Sequence, residues 1–186
     1  MRYLIRAATI IDPHSSHHQS RKDLLIENGI ITAIGADLPA EEAKELCADC
    51  YVSPGWFDLY AQFCDPGEEQ KEDLITGSYA AMAGGFTGVL IRPDTHPAYD
   101  TKGAIEYAIH KTRDLAIDLH PTGALTMGTA GQELTEIYDL RAAGAAAIGN
   151  GEQLLAESGL LLRALQYVKP FSGVVLYRPI KPRVAD

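Results

Sequence analysis

The sequence lacks any apolar run close to the roughly 20 residues that a membrane-spanning helix needs, and it has no run of basic residues. Its formal net charge of −9 at pH 7 argues against nucleic acid and anionic membranes as main partners. The first residues lack a long apolar segment and a small-residue cleavage site, so no secretory signal is expected. These absences predict a cytoplasmic protein.

Cysteine is also scarce, since the 186 residues contain only Cys47, Cys50 and Cys64. Three cysteines in a chain of this length do not form a disulfide framework. Cys47 and Cys50 have the CxxC spacing, but no second pair of cysteines or histidines completes a set of four zinc ligands. We therefore expect two reduced thiols near the start of a strand, with a metal or redox role as the minor alternative.

The first 52 residues predict a small β domain. Residues 2–11 are rich in β-branched and aromatic types and predict one or two strands. Residues 23–35 contain an Asn-Gly pair between two apolar runs, which is typical of a β-hairpin. Residues 38–46, with a proline near the start and several acidic residues, predict a short helical turn.

From residue 53 onward, strand patterns alternate with helix patterns. The first strand follows a Pro-Gly turn, and the other strand candidates are residues 88–92, 117–123, 145–149 and 173–177. The helix candidates are residues 68–83, 102–115, 132–143 and 152–167. This alternation predicts an α/β fold built from parallel βαβ units.

Five strands are too few for a closed eight-stranded (β/α) barrel, which takes about 250 residues. We therefore expect residues 53–186 to form the first half to two thirds of such a barrel. Either the chain is the front part of a longer one, or another protein covers the open edge of the sheet, because an uncovered parallel edge promotes aggregation.

Residues 52–67 read VSPGWFDLYAQFCDPG. This stretch resembles the first metal-binding motif of dihydroorotases in the amidohydrolase superfamily. In that motif Asp-x-His-x-His follows a Pro-Gly turn and precedes an arginine and Asp-Pro-Gly. Residues two apart on a strand point to the same face, so the two histidines can bind one zinc ion. Here Tyr60 and Gln62 take their places, and a phenol with a pKa near 10 or a neutral carboxamide is a poor zinc ligand.

Two further stretches carry the same resemblance. Residues 77–87, GSYAAMAGGFT, resemble the helix and turn that follow the motif in the family. Residues 92–97, RPDTHP, resemble the family's Met-Pro-Asn-Thr-x-Pro loop, in which the asparagine contacts the substrate. The resemblance implies a partial (β/α) barrel of amidohydrolase type over residues 53–186, preceded by a small sandwich-like β domain over residues 1–52.

The chain departs from the family at each position that the resemblance marks as functional. Cys64 stands in place of the arginine that would hold the substrate carboxylate, and Asp94 in place of the substrate-binding asparagine. Asn150 stands where the family has an aspartate that bridges metals, and Tyr177 where it has a third metal-binding histidine. The resemblance therefore implies that no catalytic residue is intact and that zinc, the family's metal, is not bound.

This pattern leads to the hypothesis of a non-catalytic dihydroorotase-like protein, a pseudoenzyme. By resemblance to inactive homologues, it would support assembly of a pyrimidine-biosynthesis complex such as aspartate carbamoyltransferase, with self-association also open. One alternative is a cyclic amide hydrolase with a rearranged site, in which Cys64 is the nucleophile and His96 or Asp94 the base. Another is a fragment of a longer dihydroorotase-like chain.

The alignment also predicts a geometry. Tyr60 and Gln62 should point into the barrel from one strand, with Asp94 and Tyr177 at neighbouring strand ends around the same cavity.

Overall fold

A computed structural model describes residues 1–155 and 157–179 of the chain. These residues divide into two compact units, with the boundary between Pro54 and Gly55. No helix within the described part of the chain is long and apolar enough to cross a membrane.

The first unit is a five-stranded sheet in the order β3-β2-β1-β4, with β5 also paired to β1. Its strands are β1 Arg2–Ile10, β2 Arg21–Glu27, β3 Ile30–Gly35, β4 Lys44–Ala48 and β5 Tyr51–Val52. The predicted hairpin is confirmed, because β2 and β3 are antiparallel neighbours. Asn28 and Gly29 between them have φ values of +52° and +83°, as a type I′ turn requires.

The helical turn predicted for residues 38–46 is wrong. Residues 44–48 instead form β4, which pairs in parallel with β1. Glu45, one of the acidic residues that suggested a helix, lies 3.4 Å from the guanidinium of Arg6 on the neighbouring strand β1. Pairing with an open strand edge has overridden a weak local helix preference.

A buried carboxylate fixes the middle of this sheet. Asp23 accepts hydrogen bonds from the backbone nitrogens of Ala7 at 2.8 Å and Leu38 at 3.0 Å. It also accepts one from Arg6 at 3.1 Å. The bond from Ala7 lowers the pKa of Asp23, and although burial raises it, the bonds from Leu38 and Arg6 keep it below its ordinary value.

The second unit is an all-parallel sheet in the order β10-β9-β8-β7-β6. Its strands are β6 Trp56–Ala61, β7 Phe86–Ile91, β8 Asp118–Ala124, β9 Ala147–Gly149 and β10 Val175–Leu176. Between them lie the helices α1 Leu74–Ala83, α2 Lys102–Thr112, α3 Ile137–Ala142 and α4 Ser158–Val168. One apolar core fills the space between helices and sheet, so the predicted βαβ alternation with five strands is confirmed.

Three helices begin later than the sequence predicts. Helix α1 begins at Leu74 because the Asp73 side chain accepts hydrogen bonds from the nitrogens of Ile75 and Thr76, at 2.8 and 2.7 Å. Helix α3 begins at Ile137, since residues 126 and 134 form a β-bridge. Helix α4 begins at Ser158, after a turn in residues 150–153.

The loop between β6 and α1 is fastened to α2 by Asp65, whose side chain is fully buried. One carboxylate oxygen accepts hydrogen bonds from Lys111 at 2.7 Å and from the nitrogen of Leu74 at 3.2 Å. The other accepts a bond from the Tyr107 hydroxyl at 2.8 Å. These contacts hold the segment that brings the chain from the strand end back to the helix.

Candidate functional site

The carboxyl ends of parallel strands in (β/α) folds are the usual place for a functional site. In this chain the segments that meet at that end carry charged and phenolic side chains. Tyr60 is the last residue but one of β6, and Arg92 directly follows β7. Asn150 follows β9 and Tyr177 follows β10.

An ion-pair network joins these strand ends. The Arg92 guanidinium donates from Nε to Oδ1 of Asp94 at 3.0 Å and from Nη2 to Oδ2. Its Nη1 lies 3.2 Å from Oε1 of Glu152, and Oε2 of Glu152 accepts a bond from Arg178. The backbone nitrogen of Glu152 donates to Asp94 at 3.2 Å. We call these four residues, Arg92, Asp94, Glu152 and Arg178, the strand-end network.

Tyr60 belongs to the same place. Its ring centroid lies 5.0 Å from the guanidinium carbon of Arg92, within the range of a cation–π contact. Burial raises the pKa of the Tyr60 phenol, and the nearby Arg92 charge does not offset this effect. The phenol therefore stays protonated at neutral pH, and the side chain contributes a ring and a hydroxyl rather than an anion.

Both carboxylate oxygens of Asp94 accept hydrogen bonds within the network. Burial raises the pKa of this carboxyl, but the hydrogen bonds from Arg92 and from the Glu152 nitrogen outweigh burial and keep it below the ordinary value. Asp94 also packs against Gly151, where an added Cβ would lie only 2.1 Å from the Asp94 Cγ. Gly151 has a φ of +61°, so both its conformation and its lack of a side chain make room for the network.

A cavity of about 340 Å³ lies beside the network. Residues from both terminal strands of the sheet line it, which shows that the sheet curls as a barrel wall does. The lining residues are Leu59, Tyr60, Gly151, Leu176, Tyr177, Arg178 and Pro179. The prediction that Tyr60 and Tyr177 face one cavity is thus confirmed, whereas Asp94 lines a separate cavity of about 540 Å³ with Thr95 and His96.

Gln62 does not share the cavity of Tyr60, so that part of the predicted geometry is wrong. It lines another cavity next to α1, and its Oε1 is buried without a hydrogen-bond partner among the described residues. The cause is local, because the Asp58 side chain accepts the backbone N–H of Tyr60 at 2.9 Å. The β6–β7 pairing shifts register between Asp58 and Ala61, and the two-residue alternation ends there.

Asn150 is buried, and both the oxygen and the nitrogen of its side-chain amide make two hydrogen bonds. Its Oδ1 accepts bonds from the nitrogen and the hydroxyl of Thr126, at 3.2 and 2.7 Å. Its Nδ2 donates to the carbonyl oxygens of Thr129 at 3.0 Å and Gln153 at 3.2 Å. Asn150 therefore joins its own loop after β9 to the loop after β8, and it has no spare oxygen to offer a ligand.

Cys64 and His96 do not form a nucleophile and base pair in this structure. The Cys64 thiol makes no hydrogen bond to His96 or Asp94 in the described part of the chain, and Cys64 lines neither of the two strand-end cavities. Both oxygens of Asp94 already accept bonds from Arg92. The geometry thus does not support the rearranged hydrolytic site.

Zinc, which the resemblance implies for the family, does not fit these residues. Tyr60 is a protonated phenol under a guanidinium, Gln62 lies in another cavity and the Asn150 amide is occupied. Within residues 1–155 and 157–179, no group of three or more His, Cys, Asp and Glu side chains is arranged to hold a metal.

Sequence reasoning missed the residues that fill the site. From the sequence alone, Arg92 is only the first residue of the RPDTHP loop, and no pattern marks Glu152 or Arg178. One signal was present, since an arginine stands where the family loop has methionine, two residues before an aspartate where it has asparagine. A paired exchange that adds opposite charges indicates a new ion pair.

Comparisons with known proteins agree with the resemblance. A family model described as Dihydro-orotase-like matches residues 51–175. A dihydroorotase of Acetivibrio thermocellus is 37% identical over 175 residues, which cover 93% of this chain and 41% of the relative. The chain spans about two fifths of the length of the curated relatives it matches.

Solved structures agree on the fold. A D-hydantoinase matches with a TM-score of 0.73 and 24% identity, over 96% of this chain and 40% of that one. A dihydroorotase matches with a TM-score of 0.67 and 15% identity, over 97% of this chain and 52% of that one. The predicted partial (β/α) barrel of amidohydrolase type is confirmed. Because the family model matches most of the sequence, this chain belongs to the dihydro-orotase-like family.

Proposed function

We propose that this chain is a non-catalytic dihydroorotase-like protein that supports assembly of a pyrimidine-biosynthesis complex such as aspartate carbamoyltransferase. The observation that carries the proposal is the strand-end network. Metal-assisted hydrolysis needs a bound metal to generate hydroxide and a preorganised cation facing the substrate carboxylate. At this strand end the carboxylates are already paired with Arg92 and Arg178.

The network also opposes the entry of a metal ion. A divalent cation would have to lie near the guanidinium of Arg92, whose side chain is only 15% exposed. Coulomb repulsion between two cations is poorly screened in such a site. Releasing Asp94 or Glu152 to bind the metal would break a partly buried ion pair, which is strongly destabilising.

A role in assembly is supported by the open edge of the sheet. β6 is a terminal strand, and Trp56, Phe57 and Leu59 on it are 65%, 51% and 63% exposed. We call these three residues the β6 surface. Exposed apolar side chains on a strand with one unpaired edge are a typical protein-binding surface, because binding there buries apolar area and also supplies partners for the backbone. The partner we propose is aspartate carbamoyltransferase encoded in the same genome.

The experiment mixes the purified chain with that aspartate carbamoyltransferase and measures the masses of the species by sedimentation velocity. We expect a stable complex, and we expect Leu59→Lys to weaken it at least tenfold, because a charge would then enter the apolar contact. Ile31→Lys is the matched control, since Ile31 is 51% exposed on β3 in the other unit. Failure to associate, or a homo-oligomer formed instead, would contradict the proposal.

A second candidate is that the chain forms part of a longer dihydroorotase-like protein. The observation that favours it is the coverage of about two fifths of the curated relatives. In that case further strands would cover the β6 surface. Co-expression with the unmatched portion of the Acetivibrio thermocellus relative tests this candidate, which predicts a one-to-one complex that Leu59→Lys disrupts.

A further inference from the structure

A pair of cysteines lies away from the strand-end network. Cys47 is near the end of β4 and Cys50 directly precedes β5, both in the first unit. Their sulfur atoms are 2.7 Å apart. The Cys47 side chain is exposed and that of Cys50 is partly buried, so solvent reaches the pair from the side of Cys47.

The backbone holds the two thiols together. The carbonyl of Cys50 accepts a hydrogen bond from the Thr9 nitrogen at 2.9 Å, and the nitrogen of Asp49 donates to the Arg6 carbonyl at 3.1 Å. Asp49 has a φ of +54°, which turns the chain sharply between the cysteines. Both sides of this turn are therefore tied to β1, and the contact between the sulfurs does not depend on a mobile loop.

Such an arrangement suits thiol and disulfide exchange. The sulfurs must approach by less than an ångström to reach the bond length of about 2.05 Å in a disulfide. Cys47 is the exposed member of the pair, so a dissolved disulfide reaches it first and Cys47 is the better placed residue for the first attack. The contact with Cys47 and burial both raise the pKa of the Cys50 thiol.

We propose that Cys47 and Cys50 form a dithiol site that closes reversibly to a disulfide by exchange with a small-molecule disulfide. The Cys47 thiolate attacks one sulfur of that disulfide, forming a mixed disulfide and releasing one small thiol. Cys50 then loses its proton and attacks the Cys47 sulfur, releasing the second small thiol. The protein loses two electrons and two protons, and the small-molecule disulfide is reduced to two thiols.

The test treats the whole chain with oxidised glutathione, then labels the remaining thiols with N-ethylmaleimide in denaturant and measures the intact mass. The reduced chain has three cysteines and should take up three labels, whereas the closed form should take up one. We expect no glutathione adduct on Cys47 or Cys50, because the neighbouring thiol displaces it. Peptide mapping should place the single label on Cys64, and dithiothreitol should restore three labels.

The single variants Cys47→Ser and Cys50→Ser are the matched controls. Each variant keeps one thiol of the pair. That thiol should retain a glutathione adduct, because the neighbouring thiol that would displace glutathione is absent. The proposal would be overturned if the unmodified chain kept an adduct on Cys47 or Cys50, or if it still took up three labels. It would also be overturned if the disulfide formed between two chains or included Cys64.

Discussion

Arg92 is the residue on which the strand-end network depends. Among residues 1–155 and 157–179, it is the only side chain that contacts both Asp94 and Glu152 and also lies against the Tyr60 ring. Its guanidinium can donate to two carboxylates at once because its five N–H groups point outward in one plane. A lysine could not make the same set of contacts.

We predict that Arg92→Met destabilises the second unit by about 3 kcal/mol, because it leaves partly buried carboxylates without their cation. The measurement is urea unfolding followed by the fluorescence of Trp56, the single tryptophan, which lies on β6. Adding Asp94→Asn should recover part of the loss. Lys102→Met, which breaks an exposed pair with Glu106, should cost no more than about 0.5 kcal/mol. An equal cost for both lysine and arginine variants would contradict this account.

The Asp23 carboxyl should make stability depend on pH. Its pKa in the folded state lies below the ordinary value of 3.8, so it stabilises the fold above that pH and this contribution is lost as the pH falls through the folded pKa. Asp23→Asn should lower the free energy of unfolding at pH 7 by about 2 kcal/mol. It should also make that free energy fall less steeply as the pH is lowered into the acid range. Urea midpoints by circular dichroism at neutral and acid pH measure this effect. The control is Asp37→Asn, because Asp37 is exposed. The same loss of stability at acid pH in Asp23→Asn as in the unmodified chain would argue against this role of Asp23.

Single residues were the hardest feature to predict from the sequence. The placement of Tyr60 and Tyr177 on one cavity follows from strand order, which the sequence contains. The displacement of Gln62 follows from the hydrogen bond between Asp58 and the Tyr60 nitrogen, which ends the regular strand. Alternation along a strand cannot reveal where a side chain will interrupt it.

At the scale of elements, the connection between β6 and α1 is held by one buried ion pair. The fully buried Asp65 carboxylate binds Lys111 of α2 and the nitrogen of Leu74 at the start of α1. Together with the Asp73 cap, this contact sets the start of α1 at Leu74, whereas the sequence predicted a helix from residue 68. The strands and helices could be predicted from the spacing of apolar residues along the chain. The first residue of each helix could not, because it depends on long-range contacts of this kind.

We predict that Lys111→Met costs about 3 to 5 kcal/mol, because it leaves the Asp65 carboxylate buried without a cation. Hydrogen exchange should show the loss first in the amides at the start of α1. The matched control is Lys71→Met, which removes an exposed lysine that pairs with Glu68 at the surface and should have no measurable effect. A similar response to both variants would show that Asp65 does not need Lys111.

At the scale of the whole molecule, five parallel strands curl into part of a barrel and leave a terminal strand with apolar side chains exposed. The partial barrel could be predicted because the strand count and the length were both visible in the sequence. The strand-end network could not, because it joins residues from separate loops that only the fold brings together. The proposed lack of metal-dependent activity rests on that network.

The most direct test is steady-state turnover of dihydroorotate and of N-carbamoyl-aspartate by the purified chain, with and without added zinc. An active dihydroorotase serves as the positive control, and the chain is assayed alone and mixed with aspartate carbamoyltransferase. We predict no turnover above the buffer blank, and none after Tyr60→His with Gln62→His, since Arg92 still holds Asp94 and Gln62 lies in another cavity. Zinc-dependent turnover by the unmodified chain would contradict the account.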